Sequence, residues 1–168
     1  DAIKTYIQCL KQYNETTNIY SKSAYDQLPF HIEDSIELSK LISNTKKVVF
    51  DFGSGSGLPV IPIAIMNPLN TIYAIESKSR KTKFLQQGKD TLQLTNLTIV
   101  TQNLFEWSAP KKADIITAKA FGSLDKIEKI LAKLKQSSAE IYIPMSQRQA
   151  EAVVQTKNIQ VHIIDSHY

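Results

Sequence analysis

Hydrophobic and polar residues follow two patterns along this chain, short apolar runs and helical periodicity. From residue 47 onward, short apolar runs are separated by stretches whose apolar residues return every three or four positions, which predicts strands joined by helices. The predicted strands lie near 47–52, 71–76, 97–101, 113–118, 139–144 and 159–165, and the predicted helices near 58–66, 78–93, 123–135 and 146–156. This order favours right-handed βαβ units in an α/β fold with a doubly wound, mainly parallel sheet.

The first 45 residues follow a different pattern. Apolar side chains at helical spacing predict one amphipathic helix at the start of the chain and a second from about Asp26 to Ile42. The apolar positions are Ile3, Tyr6, Ile7, Leu10 and Tyr13 in the first helix, and Ile32, Ile36 and Leu41 in the second. We therefore expect a helical cap over 1–45 and a Rossmann-like core over 46–168, within a single domain that spans 1–168.

Composition and charge restrict the class of protein. The chain has 168 residues, of which 42% are hydrophobic, and this usage is typical of a globular domain with a full core. No apolar run is long enough to span a bilayer. Cys9 is the single cysteine and cannot form an intramolecular disulfide, which favours a reducing, cytoplasmic location. The net charge of +4 permits a nucleic-acid partner.

The richest candidate chemistry lies where the first strand of the core ends. Gly53, Gly55 and Gly57 alternate there and are followed by Pro59, which suits the first turn of a helix. Glycine tolerates positive φ and lets a ligand approach the backbone closely. Three of the five glycines of the chain lie in this loop, so it predicts a ligand site rather than a simple strand-to-helix turn.

The residues around the loop discriminate between ligands. A Walker loop ends in Gly-Lys-Ser/Thr, whereas Gly57 is followed by Leu58, so that interpretation is excluded. A dinucleotide loop has G-x-G-x-x-G spacing, and an acid such as Asp51 would repel its pyrophosphate. Asp51 can instead pair with an ammonium, which favours S-adenosylmethionine. Glu76, at the end of the next strand, can accept ribose hydroxyls, a feature shared with NAD-binding proteins.

Five segments, in matching order, resemble one family. Residues 51–62 are similar to the D-x-G-[ST]-G-x-G-[LF]-P-G-I-P signature of the RsmG methyltransferases, also called glucose-inhibited division protein B. Residues 13–16 resemble the family's Y/W-N-L-T, and residues 31–35 its H-I-x-D-S. Residues 76–85 resemble D-S-x-x-K-R-x-x-F-L, and residues 118–124 resemble x-R-A-F-A-S-L. The segments follow one another in matching order, so the resemblance extends over nearly the whole chain.

The resemblance implies a class I S-adenosylmethionine-dependent enzyme that methylates N7 of a guanosine in 16S ribosomal RNA. It implies that Lys119, where the family has arginine, acts at the mouth of the site as the catalytic residue. It also implies a cofactor site made of Asp51, Gly53, Ser54, Gly55, Gly57, Leu58, Glu76, Ser77, Asn103, Leu104, Phe105 and Lys119. The implied partner is small-subunit ribosomal RNA or an assembly intermediate, and we expect a monomer without metal or membrane attachment.

Departures from the family pattern keep other functions open. Phe30, Asn103 and Met145 stand where the family has basic residues, so reduced activity or an inactive RNA-binding or regulatory domain is the main alternative. An NAD-linked oxidoreductase is a weaker alternative. The fold also ends in a seventh, antiparallel strand for which we find no segment, so we expect the last strand to be absent.

Several further residues have two interpretations. Four basic residues could bind phosphates or form the solvated start of a helix: Lys78, Arg80, Lys81 and Lys83. His31 could face RNA or make a structural hydrogen bond that ties the cap to the core. The histidines and the cysteine show no ligand spacing that would indicate a metal site. Trp107 is most simply a packing residue.

Overall fold

The strands of the core form one parallel sheet. In this computed structural model, which describes residues 1–119, 123–136, 138–145 and 148, the strands are β1 (Val48–Phe52), β2 (Thr71–Glu76), β3 (Leu97–Thr101), β4 (Ile115–Ala118) and β5 (Glu140–Tyr142). Their order in the sheet is β3-β2-β1-β4-β5, and every neighbouring pair is parallel. The predicted helix at 146–156 and the predicted strand at 159–165 lie outside the described residues, apart from residue 148.

Helices cover both faces of this sheet. They are α1 (Ala2–Asn14), α2 (Leu28–Ile42), α3 (Val60–Met66), α4 (Ser79–Leu92) and α5 (Leu124–Leu134). Alternate residues of each strand point to opposite faces. Accordingly, Val49 and Ile72 pack in one core with side chains of α1 to α4, whereas Phe50 and Ile116 pack in a second core with α5 and Trp107. The predicted doubly wound α/β architecture is confirmed, and Trp107 is a packing residue as expected.

The second predicted helix begins later than the pattern suggested. Lys22–Gln27 form a 3-10 helix, and α2 starts at Leu28 with Pro29 in its first turn. Because proline has no N–H to donate to the preceding turn, the two helical segments do not merge into one. Pro59, expected inside the first turn of α3, is the residue that precedes its first turn.

The expected apolar side of α2 was wrong at one position. Leu41 is 41% exposed, whereas Ser35 and Ser39 occupy the buried side with Ile32 and Leu38. The serine hydroxyls donate to carbonyls of their own helix, Ser35 to His31 at 2.8 Å, so their burial leaves no polar group unpaired. A pattern based on apolar residues alone misses a buried side that contains serine.

Candidate active site at the carboxyl edge of the sheet

The glycine loop lies at the point where the strand order of the sheet reverses. β1 lies between β2 and β4, so the connections from β1 and β4 leave the carboxyl edge in different directions and open a crevice between them. Gly53, Gly55 and Gly57 have φ values of +70°, +54° and +92°, a region that side chains rarely adopt. The Gly53 N–H donates to the Ile75 carbonyl at 2.8 Å, which fastens the start of the loop to β2.

Two glycines of this loop have different surroundings. A Cβ on Gly55 would lie no closer than 3.7 Å to other atoms, and its neighbours would include Lys81 Nζ at 3.9 Å and Glu76 Oε1 at 4.0 Å. A Cβ on Gly57 would lie 2.9 Å from the side chain of Ile61. Gly57 is therefore required by packing, whereas a side chain at Gly55 would make only ordinary contacts.

Asp51 is buried beneath the loop rather than exposed at its surface. Only 1% of the residue is accessible, and its carboxylate accepts hydrogen bonds from Ser54 Oγ at 2.7 Å and from Thr117 Oγ1 at 2.6 Å. Burial raises the pKa of Asp51 to about 7, against the opposing effect of these two hydrogen bonds. The carboxyl group therefore joins β1, the glycine loop and β4, and its pairing with a ligand ammonium stays a prediction.

Glu76 holds the glycine loop from the end of β2. Its Oε1 accepts the Gly55 N–H at 3.0 Å, and its Oε2 accepts the Lys78 N–H at 2.8 Å. Each carboxylate oxygen has a further lone pair, so both can still accept a ligand hydroxyl. Ser77, the next residue, is exposed.

The turn after β3 contains one buried and one partly exposed apolar side chain. Leu104 is 5% exposed and packs with Trp107 in the second core, whereas Phe105 is 40% exposed. Asn103 Oδ1 accepts the Phe105 N–H at 2.8 Å and shapes the turn. Leu58 is also buried, in the first core. Phe105 is thus the member of this group whose side chain is available to an adenine ring.

Lys119 follows β4 and lines a cleft of about 260 Å³ beneath the cap. The other lining residues are His31, Asp34, Ser35, Leu38, Pro59, Pro144 and Met145. Burial lowers the pKa of Lys119, while Asp34 and Asp51 act in the opposite direction. The lysine therefore interacts with a carboxylate of the cleft and with the carboxylate at the tip of β1.

Comparison with known proteins identifies the family. The family model described as "GidB: rRNA small subunit methyltransferase G" matches residues 1–167. The chain belongs to the GidB family.

Relatives within the GidB family are named "Ribosomal RNA small subunit methyltransferase G". The protein of Brachyspira hyodysenteriae is 33% identical over 82% of this chain and 67% of its own length. The protein of Janthinobacterium is 34% identical over 71% of this chain and 56% of its own length. The protein of Vibrio campbellii is 29% identical over 83% of this chain and 66% of its own length. The chain thus spans between about half and two thirds of the length of these relatives.

Solved structures support the fold of this GidB chain. A putative S-adenosyl-L-methionine-dependent methyltransferase of Methanococcus maripaludis aligns with a TM-score of 0.58 over 88% of this chain and 72% of its own, at 16% identity. A SAM-dependent methyltransferase of Aquifex aeolicus aligns with a TM-score of 0.57 over 81% of this chain and 87% of its own, at 17% identity. The similarity establishes the Rossmann-like methyltransferase fold.

Two residues of this GidB site were missed by the sequence analysis as parts of the site. Tyr6 was predicted only as an apolar position of α1, yet its buried hydroxyl donates to the Ser56 carbonyl of the glycine loop at 2.7 Å. Lys81 was predicted either to contact phosphates or to lie on the solvated start of a helix, and its ammonium lies in front of Gly55. Neither contact has a signal in the sequence, because the partners are 50 and 26 residues apart.

The remaining expectations concern the cap and possible metal sites. His31 Nδ1 lies 2.9 Å from the Tyr20 hydroxyl, so this bond joins two parts of the cap, and a tie from His31 to the core stays a prediction. Asn14 accepts two backbone N–H groups at 2.9 and 3.0 Å and donates to Tyr20 and Tyr25, which gives the family's Tyr-Asn motif a structural role. Within the described residues, no group of three His, Cys, Asp or Glu side chains could hold a metal ion, and no helix could cross a membrane.

Proposed function

We propose that this chain binds S-adenosylmethionine in the crevice beside the glycine loop and methylates N7 of a guanosine in small-subunit ribosomal RNA. The observation that supports it most directly is the geometry of the loop at Gly55, with positive φ, no packing overlap in front of Cα and the Glu76 carboxylate beside it. The membership of the GidB family supports the reaction and the RNA substrate.

The residues of the crevice fit this cofactor. Backbone groups of Gly53 and Gly55 would hold its methionine moiety, Glu76 would accept hydroxyls of its ribose, and Phe105 would pack on its adenine. Lys119 would bind the carboxylate of the methionine or an RNA phosphate. S-adenosylmethionine supplies an activated methyl group on a sulfonium.

The protein then has to align the base and exclude water. Guanine N7 carries a free lone pair and loses no proton when it is methylated, so no general base is required. We infer that Lys119 acts by charge and position. We also propose that the chain works as a monomer and a single domain in the cytoplasm, and that it recognises the small subunit or an assembly intermediate.

A binding and transfer experiment tests this function. Calorimetric titration with S-adenosylhomocysteine and with NADH should show binding of the first alone. Small subunits from a strain that lacks the modification should gain 7-methylguanosine on incubation with the protein and S-adenosylmethionine, as measured by mass spectrometry of the nucleosides. Binding of S-adenosylhomocysteine without methyl transfer would favour the inactive domain, and binding of NADH would favour an oxidoreductase.

The inactive domain is the second candidate because basic residues of the family are replaced at the proposed RNA face. Met145 lines the cleft beside Lys119 and is 38% exposed, whereas the family has a lysine there. Restoring the cation in Met145→Lys should raise methyl transfer if the active enzyme is merely weakened. An inactive domain would show no transfer in either form.

A further inference from the structure

The cleft beneath the cap contains an acidic side chain that belongs to neither the glycine loop nor the strand ends. Asp34 lies on α2, one turn after His31, and lines the cleft with Lys119. It interacts electrostatically with Lys119, which in turn interacts with Asp51 at the tip of β1. Lys119, which directly follows β4, and Asp34 of the cap thus line one cleft together with Pro59, the residue that precedes α3.

The size and walls of the cleft suit a single nucleobase. Its volume of about 260 Å³ lies just below the range for small-molecule sites, roughly 300–1,000 Å³, so it can hold only a small planar group. Leu38, Pro59, Pro144 and Met145 provide apolar surface, and Asp34 and Lys119 provide opposite charges. Apolar walls that enclose a planar ring, together with a few polar groups that read its edge, are typical of sites for an extruded base.

We propose that this cleft receives the target guanine, with the Asp34 carboxylate accepting the N1–H and 2-amino hydrogens and the Lys119 ammonium donating to O6. The inference rests on the proposed function, because it assigns the specificity of the same site. Asp34 is a specificity-determining residue in this arrangement.

The polar groups of guanine complement the two charged residues of the cleft. O6 lies between N1 and N7 on the purine ring. A base whose O6 meets Lys119 and whose N1 and 2-amino group meet Asp34 therefore directs N7 away from Asp34. Adenine would place its 6-amino group against the ammonium and its unprotonated N1 against the carboxylate, so both contacts would be repulsive.

Nucleotide binding measured by NMR tests this assignment. The protein, saturated with S-adenosylhomocysteine, is titrated with guanosine, inosine and adenosine 5′-monophosphates while the amide signals of 31–38 and 119 are followed. Inosine lacks the 2-amino group, so we expect the guanosine nucleotide to bind most tightly and the adenosine nucleotide most weakly. Equal affinities, shifts elsewhere, or no shifts up to the solubility limit would overturn the inference.

Matched variants make the test specific to Asp34. Asp34→Asn should weaken binding of the guanosine nucleotide roughly tenfold, the size of a lost bidentate contact, and should leave the inosine nucleotide much less affected. Glu33→Gln removes a carboxylate from the exposed side of the same helix and should change neither affinity. An equal loss for both nucleotides would assign Asp34 a structural role and reject base readout.

This design separates the inference from the proposed function. If S-adenosylhomocysteine does not bind, the proposed function fails. If it binds and methyl transfer occurs, but the three nucleotides do not discriminate, the function stands and the role of Asp34 is rejected.

Discussion

Gly55 and Gly57 lie two residues apart and both adopt positive φ, yet the absence of a side chain serves a different purpose at each. Only ordinary contacts surround a Cβ at Gly55, whereas a Cβ at Gly57 would overlap Ile61. The spacing of glycines in a sequence cannot separate these purposes, because the neighbours that decide them come from the tertiary structure.

Alanine substitution should therefore mainly weaken ligand binding at Gly55 and mainly lower stability at Gly57. Gly55→Ala should fold, at a cost of about 1 kcal/mol for positive φ, and should bind S-adenosylhomocysteine about tenfold more weakly because the methyl enters the ligand space. Gly57→Ala should lose on the order of 2–4 kcal/mol of stability through overpacking and strain. Urea unfolding and calorimetry measure the two effects. Unchanged affinity in a folded Gly55→Ala variant would remove the ligand from this loop.

The ionisation of Asp51 predicts a pH-dependent stability. Its pKa of about 7 lies above the ordinary value of 3.8, so between these values the folded protein keeps a proton that the unfolded chain releases. The stability of the ligand-free protein should fall as pH rises from about 4 to about 7 and should then level off. Asp51→Asn cannot ionise, so it should be more stable than the parent above pH 7, by a few kcal/mol in order of magnitude, and equal to it near pH 4.

Thermal unfolding at several pH values measures this difference. Asp90→Asn, an exposed carboxyl group on α4, is the control and should show a small difference at every pH. A higher stability of Asp51→Asn that does not depend on pH would contradict the raised pKa of Asp51.

Lys119 should act through its charge rather than as a base. Lys119→Ala should lower kcat/KM roughly 10- to 100-fold, whereas Lys119→Arg, which restores the family's residue, should keep most activity. At saturating cofactor and RNA, the single-turnover rate should be nearly constant between about pH 6.5 and 8.5. A tenfold rise per pH unit that disappears in Lys119→Arg would instead identify the lysine as a base.

At the scale of elements, α1 supports the glycine loop. Tyr6 and Tyr13 both project from α1 toward Phe84 of α4, and each donates its hydroxyl to a backbone carbonyl. Tyr6 is fully buried and reaches the glycine loop at Ser56, whereas the bond from Tyr13 to Arg80 is exposed. The first helix of the cap is therefore part of the framework that holds the loop.

Removing each hydroxyl separates support of the loop from general packing. Tyr6→Phe should lose about 1 kcal/mol of stability and bind S-adenosylhomocysteine several-fold more weakly, because the buried carbonyl loses its donor and the loop is less ordered. Tyr13→Phe keeps the same ring contact and should change both quantities little. Equal effects of the two variants in urea unfolding and calorimetry would show that α1 contributes only packing.

At the scale of the whole molecule, the cations are distributed over two edges of the sheet. Lys78 and Lys83 are exposed just before α4 and in its first turns, after the carboxyl end of β2, whereas Lys46 is exposed just before β1 at the opposite edge. Because ligands bind at the carboxyl edge of such a sheet, we expect RNA to approach that edge.

The salt dependence of RNA binding tests this orientation. Each phosphate contact contributes about 0.7 to 0.9 to the slope of log affinity against log salt concentration. Lys78→Gln and Lys83→Gln should each lower the slope by about that amount, and Lys46→Gln should leave it unchanged. A lower slope in Lys46→Gln alone would place the RNA at the other edge.

The sequence by itself determined the features that depend on local pattern. Alternating apolar runs and helical periodicity indicated the parallel α/β fold, although strand ends moved, as in β4, which begins at Ile115 rather than at 113. The glycine loop, Asp51 and Glu76 were recognisable because each lies at the end of a strand or directly after it, and the ends of parallel strands meet at one edge. The family was identified correctly from five short segments.

The tertiary structure determined the contacts, and so the role, of each of these residues. It buried Asp51 between Ser54 and Thr117, assigned Gly57 to packing, and brought Tyr6 and Lys81 to the loop. It also joined Asp34 of the cap and Lys119 of the core in one cleft. The position of a residue along the chain predicts its secondary structure and the edge it approaches, but a contact between distant segments depends on how helices and sheet pack, which no local pattern records.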